Sequence, residues 1–272
     1  MSDPFKITGP THIAVSGGRT SGYMLRRFID SNYAWIHHQA VAIFCNTGKE
    51  APGTLDFVHR METEWGIPIV WLEFTGRGKM GFEEVCYENA SRDGEPFESL
   101  IRTKQRLPNI VQRSCTQWLK ILTAHRYCKH VLLWNHYDTA LGLRADEPNR
   151  VAKLAPHKDT PGEEPYAPLA KAGITRRDIM AWWSQNSFDL DINPDAGNCD
   201  LCFLKGLGQR SRLIQAQPGV EDWWAEQERW VTAKTSGHGQ FTKDLSIPEL
   251  VARSGQLQMF ADDGATECRC TD

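Results

Sequence analysis

The stretch His12-Ile13-Ala14-Val15-Ser16-Gly17-Gly18-Arg19-Thr20-Ser21 decides the fold of this chain. Its start is a short apolar run of the kind that forms a buried strand, and the paired glycines after it predict a tight turn. A helix is predicted from Ser21 to Asp30, so the turn joins the end of a strand to the start of a helix. Backbone N–H groups and the positive helix end then face one point, which suits an anion. Gly17 and Gly18 let the backbone approach a phosphate without an intervening Cβ, and Ser16, Thr20 and Ser21 add hydroxyl donors. The run is neither a Walker A loop nor a Rossmann Gly-x-Gly-x-x-Gly turn. For Gly17-Gly18 alone a plain strand-to-helix turn is the alternative; the flanking elements and three hydroxyls favour a phosphate or pyrophosphate site.

Outward from this point, strand-like runs at Ala40 to Cys45, Ile69 to Phe74 and Tyr137 to Leu143 alternate with helix-like runs at Gly53 to Trp65 and Ser114 to Cys128. That alternation predicts a parallel sheet with helices on its faces. Gly76 to Gly81 reads as a loop, Phe82 to Arg113 as an insertion that is helical in pieces, and Pro148 to Pro165 as a mobile surface loop. Thr175 is a predicted N-cap with Asp178 in the first turn of its helix. Beyond Cys202 the chain reads as helical to about Ala233, and the last dozen residues as a tail. Trp182, Trp183, Trp223, Trp224 and Trp230 are expected to pack a C-terminal helical layer.

With 272 residues, 40 % hydrophobic and 24 % charged, the chain has material for one large α/β domain or a domain with an appendage. No apolar stretch reaches the length of a membrane span, and Met1-Ser2-Asp3-Pro4 does not begin a secretory signal, so a cytoplasmic protein is expected. A net charge of -3 does not indicate binding to nucleic acid through bulk charge. Eight cysteines in a reducing compartment point to metal or redox chemistry rather than a disulfide framework. Cys45, Cys86 and Cys128 read as small buried hydrophobes.

Three further motifs carry chemistry. Asn46-Thr47-Gly48, with Glu50, lies at the carboxyl end of the second predicted strand, where open parallel sheets bind ligands; a helix N-cap is the alternative. Gly142-Leu143-Arg144-Ala145-Asp146-Glu147 and Arg150 offer two guanidinium forks for a sulfate or phosphate, against simple ion pairing with Asp146 and Glu147. Cys199-Asp200-Leu201-Cys202 brings two thiols close enough for one metal or cluster, with a redox dithiol as the alternative.

In this order the motifs resemble the PP-loop ATP pyrophosphatase (adenine nucleotide alpha hydrolase-like) superfamily, and within it the iron–sulfur branch of the phosphoadenylyl-sulfate (PAPS) reductase family. The resemblance covers roughly residues 10 to 205 and includes Arg113-Ser114-Cys115-Thr116 with Leu119-Lys120. It implies a doubly wound parallel α/β sheet with a C-terminal helical region. The nucleotide-binding domain would occupy 1–197, with an insertion at about 76–112, and a cysteine-containing helical region and tail 198–272.

The implied activity is that of an oxidoreductase of sulfur metabolism, reducing PAPS or adenylyl sulfate to sulfite, with Ser16, Gly17, Gly18, Arg19, Thr20, Ser21, Asn46, Thr47, Gly48, Glu50 and Gly142 around the nucleotide. Arg144 and Arg150 would hold the sulfonate, and Cys268, in Glu267-Cys268-Arg269-Cys270, would attack sulfur. A thioredoxin-like donor is the implied partner, and a homodimer is compatible with it. Cys115, Cys199 and Cys202 are the implied ligands of a [4Fe–4S] cluster, the fourth position falling to a tail cysteine, Cys270, to a non-cysteine group or to none, with zinc as the competing metal. Ser114-Cys115 departs from the double cysteine of cluster-bearing members, and no Gly-Leu-His follows Cys268. The alternatives are an ATP pyrophosphatase or sulfurtransferase acting with Mg²⁺ on DNA or RNA, and a non-catalytic nucleotide-sensing subunit of a mobile-element or defence system.

Overall fold

The computed structural model of the chain describes residues 3–32, 39–76, 78, 80–193, 195–197, 199–234 and 239–257. The opening stretch forms strand β1 (Thr11–Val15) and helix α1 (Arg19–Ser31), joined by the glycine turn. Next come β2 (Ala40–Asn46), α2 (Pro52–Trp65) and β3 (Ile69–Phe74). Pro52 opens α2 and Gly66, in the left-handed conformation at φ 62°, closes it. β1, β2 and β3 pair in parallel, and β5 (Tyr137–Ala140) lies parallel to β1 on its other side. β1 therefore stands at the point where strand order reverses, and the crevice beyond its carboxyl end is where open α/β sheets take ligands.

The full sheet runs β4-β3-β2-β1-β5-β6, with β4 (Phe82–Val85) antiparallel to β3 and β6 (Glu163–Tyr166) parallel to β5. One face is buried by α1, α2 and α7 (Arg176–Trp183), which follows the short helix α6 (Pro168–Lys171), through Met24, Phe28, Phe57, Met61 and Trp183. The other face packs Ile43, Cys45 and Leu72 against Ala124 and Cys128 of α4 (Leu122–His130). A further apolar cluster joins α3 (Glu95–Lys104) to the C-terminal helices α8 (Leu207–Ala216), α9 (Asp222–Lys234) and α10 (Ile247–Leu257), with Phe97, Trp224, Phe241 and Leu250 at its centre. The doubly wound sheet with a helical region after it is thus as expected, with an antiparallel edge strand added.

Several local expectations need correction. The segment read as an insertion supplies an edge strand, β4, before α3. The predicted surface loop between Pro148 and Pro165 holds helix α5 (Pro148–Val151) and strand β6. Proline is tolerated in both because Pro148 sits in the first turn and Pro165 on an edge strand, where a missing N–H breaks no essential ladder. The helix predicted from Ser114 begins as a π-helical turn, Thr116–Ile121, before continuing as α4. Trp182 and Trp183 pack on α1 and α2 in the α/β core, whereas Trp223, Trp224 and Trp230 belong to the C-terminal cluster. At Thr175 the prediction holds: its N–H and O–H both donate to Asp178 Oδ2, at 2.9 and 2.7 Å.

Candidate nucleotide site

A cavity of about 390 Å³ opens at the carboxyl ends of β1 and β5 and runs back along one face of the sheet. Ser16, Ser21, Gly142 and Arg150 line its mouth region, and Ala14, Ile43, Ala124 and Leu141 give it apolar walls. Lys120 and Lys153 add two ammonium groups to the lining. A largely apolar cavity with a few convergent polar and cationic groups is the usual form of a small-molecule site.

The turn at the mouth is held by its own hydroxyls. Ser21 Oγ accepts from the Ser16 N–H and stands 3.0 Å from Ser16 Oγ, and it donates to the Gly18 carbonyl at 3.0 Å. Gly17 adopts φ 78°, and a Cβ there would lie 2.4 Å from the Thr54 methyl, so the turn is pressed against α2 as well as bent. Gly18 caps α1 without a side chain, which leaves the helix start to backbone N–H groups. Gly142 faces this start, with its Cα side 3.4 to 3.6 Å from Thr20 and Ser21 atoms were a Cβ present.

Other expected site residues are used differently. Arg19 turns away and grips Asp189 with both nitrogens, at 2.7 and 2.9 Å. Arg144 is 2 % exposed; its Nε lies 3.1 Å from Asp146 and 3.5 Å from Glu147, and its Nη1 3.5 Å from Thr20 Oγ1. Its guanidinium braces the β5–α5 loop against α1, while Arg150, paired with Glu147, lines the cavity. Asn46 is a brace too: its amide donates to Glu73 at 2.6 Å and to the Ser91 carbonyl, and its oxygen accepts the Gly48 N–H. Burial raises the Glu73 carboxyl above its ordinary range. Thr47 donates twice to Glu50 Oε2, by N–H at 2.9 Å and O–H at 2.7 Å.

The expected metal centre does not form. Cys115, Cys199 and Cys202 do border one small space, about 20 Å³, shared with Phe97, Phe203 and Trp224. That is room for about one water molecule. Among the described residues no group of three or more His, Cys, Asp or Glu side chains is placed to hold a metal ion, which overturns both the [4Fe–4S] cluster and the zinc alternative. Burial, with the Glu50 carboxylate, pushes the Cys199 thiol well above its ordinary value. The Cys-x-x-Cys segment instead clamps the β2–α2 loop. Asp200 receives Lys49 Nζ at 2.9 Å and Trp224 Nε1 at 2.6 Å, and the Asp200 N–H donates to the Lys49 carbonyl. Cys268 and Cys270 lie outside the described residues.

Three cavity residues were not singled out from the sequence. His12 Nδ1 is 3.3 Å from Thr139 Oγ1, and the Thr139 hydroxyl donates to Glu163 Oε1 at 2.7 Å. Burial holds the His12 imidazole down at about 4, so it is neutral. A polar residue inside each of three strands was the available signal, but their alignment depends on parallel pairing. Cys45, also in the lining, is pushed up to about 12 by burial and is an inert thiol.

No protein-family profile matches the sequence. The chain is 27 % identical over 260 residues to the uncharacterized nin region protein ORF290 of Escherichia phage lambda, covering 92 % of this chain and 85 % of that protein. Among solved structures it is similar to the phosphoadenylyl-sulfate (PAPS) reductase of Candida auris in its phosphate complex, at TM-score 0.44 and 16 % identity, over 67 % of this chain and 75 % of the other. It is also similar to the U34-tRNA thiolase NcsA of Methanococcus maripaludis, at TM-score 0.39 and 14 % identity, over 96 % and 85 % of the two chains. These likenesses are distant and concern the fold alone; they do not single out a PAPS reductase or an iron–sulfur branch. Among the described residues no helix is long and apolar enough to cross a membrane.

Proposed function

We propose that the chain is an adenine-nucleotide-binding enzyme that seats the phosphates of its substrate on the Ser16–Ser21 turn. The observation that carries this reading is the opening of that turn, at the sheet's switch point, into a cleft bordered by Arg150, Lys153 and Lys120. A helix start, local hydroxyls and three cations supply a site for a phosphate or sulfonate, and the apolar length behind them suits a heterocyclic base.

The reaction inferred from the sequence motifs is thiol-dependent reduction of a sulfonucleotide. The Cys268 thiolate attacks the sulfonate sulfur of PAPS or adenylyl sulfate, a sulfur–sulfur bond forms, and the sulfur–oxygen bond to phosphate breaks with the nucleotide as leaving group. An external dithiol then reduces the enzyme thiosulfonate, releasing sulfite and becoming a disulfide. Arg150 neutralises the sulfonate in this scheme, and Arg144 acts on the site only through the loop it braces.

Incubation with adenylyl sulfate or PAPS and a dithiol should yield one sulfite per nucleotide released, and Cys268→Ser should abolish it. Pyrophosphate release from ATP without sulfite from either sulfonucleotide would instead assign the chain to nucleotidyl transfer. Absence of binding to all three nucleotides would end the proposal.

A further inference from the structure

Resting on the adenine-nucleotide reading above, we propose that Glu163, Thr139 and His12 form a hydrogen-bonded chain that selects the base: a purine bearing an amino group at its inner edge over one bearing a carbonyl. The three residues line the cavity from β6, β5 and β1: His12 is the register partner of Thr139, and Glu163 sits on β6 two residues before Pro165, the register partner of Thr139, so it reaches Thr139 diagonally. His12, Ala14 and Ser16 share one face of β1, because side chains alternate along a strand. Four residues of strand rise put His12 about 13 Å from the phosphate turn. That separation matches an extended nucleotide with its phosphate at Ser16 and its base against His12.

The direction of the chain follows from proton counting. Thr139 owns one hydroxyl proton, and the Glu163 carboxylate, an acceptor only, takes it at 2.7 Å. The Thr139 oxygen is then left to accept, so the His12 Nδ1 facing it at 3.3 Å carries the imidazole proton. The ring is neutral, and Nε2 is a bare acceptor. The inner end combines the apolar walls of Ala14 and Ile43 with a few polar groups, Thr160 and His157 beside the Glu163–Thr139–His12 row, so the orientation of each polar group counts. An exocyclic amino group satisfies Nε2, whereas a carbonyl in its place opposes two acceptors out of water, a mismatch that binding sites reject strongly.

AMP and IMP, which differ at the 6-position of the base, are the probes, and titration calorimetry with the full chain is the measurement. The wild type should bind AMP roughly tenfold or more tightly than IMP. Thr139→Val removes the oxygen that fixes the tautomer, so the preference should shrink toward unity while IMP affinity holds or rises. Equal wild-type affinities, or a preference unchanged in Thr139→Val, overturns the selection and leaves nucleotide binding standing. Failure of both nucleotides to bind removes the underlying reading and this one with it. An independent readout needs no variant to fold: the imidazole ¹⁵N spectrum of His12 in the free protein should show the neutral Nδ1–H tautomer, and an Nε2–H tautomer overturns the proposal.

Discussion

Lys120 Nζ stands 3.8 Å from the Glu50 carboxylate, whose side chain is fully enclosed. Glu50 Oε2 takes two hydrogen bonds from Thr47, but its Oε1 has no hydrogen-bond partner, so the ammonium is the charge that compensates it. Lys120 projects from the π-helical turn and borders both the cavity at the Ser16–Ser21 turn and the small space beside the cysteines. π-Helical turns are frequent at functional sites because the extra residue re-aims a side chain.

Removing that ammonium strands a buried carboxylate. Lys120→Met should destabilise the protein by about 1–3 kcal/mol in urea unfolding, and adding Glu50→Gln should recover most of the loss. Additive effects of the two substitutions would show that the pair is uncoupled.

Gly17 and Gly66 separate backbone conformation from crowding. Both have positive φ, but a Cβ at Gly17 meets Thr54 at 2.4 Å while Gly66 has open space around it. Gly66→Ala should cost about 1 kcal/mol from the left-handed backbone alone. Gly17→Ala should cost clearly more and also weaken AMP binding, since the turn must move off α2. Equal losses in the two variants would refute the close packing of the turn.

The two arginines of the β5–α5 region should part company on substitution. Arg144 is buried against Asp146 and Glu147, so Arg144→Met should lower stability by about 3 kcal/mol, as breaking an enclosed charge pair does. Arg150→Met should leave the midpoint of unfolding nearly unchanged but weaken AMP binding about tenfold, the loss of one charge-assisted contact to phosphate. Thermal or urea unfolding beside calorimetric titration distinguishes the roles, and a reversed pattern would reassign them.

His12 predicts an acid sensitivity with a definite sign. Burial lowers it from 6.5 to about 4, so between these values the unfolded chain binds a proton that the folded chain refuses. Its contribution to stability is complete above pH 6.5, is lost as pH falls toward 4, and amounts to at most roughly 3 kcal/mol. His125, also lowered by burial, acts in the same direction, so the test is the difference between wild type and His12→Gln. The variant should lose less stability between pH 7 and pH 4.5; superimposable profiles would show that His12 is not a buried neutral group.

The strand, turn and helix from His12 to Asp30 were legible in the sequence because each is a local pattern: an apolar run, paired glycines and a helical period. So was the Thr175 cap, whose two partners are three residues apart. β4 and β6 were not legible. Each is a four-residue edge strand stabilised by a neighbour far along the chain rather than by its own pattern. The candidate site divides in the same way. Ser16, Ser21 and Gly142 could be proposed from local motifs, and ion pairing was already an open alternative for Arg144 beside Asp146 and Glu147.

By itself the sequence determined the alternating α/β order and the glycine turn between the first strand and helix, since both are written in short-range spacing and in the steric freedom of glycine. Tertiary structure alone decided the rest of the site. It aligned His12 with Thr139, 127 residues away, and made Cys199 part of a clamp on the β2–α2 loop instead of a metal ligand. Spacing along the chain says which groups are available. Burial, strand register and the space between side chains say which of them meet, and in what protonation state.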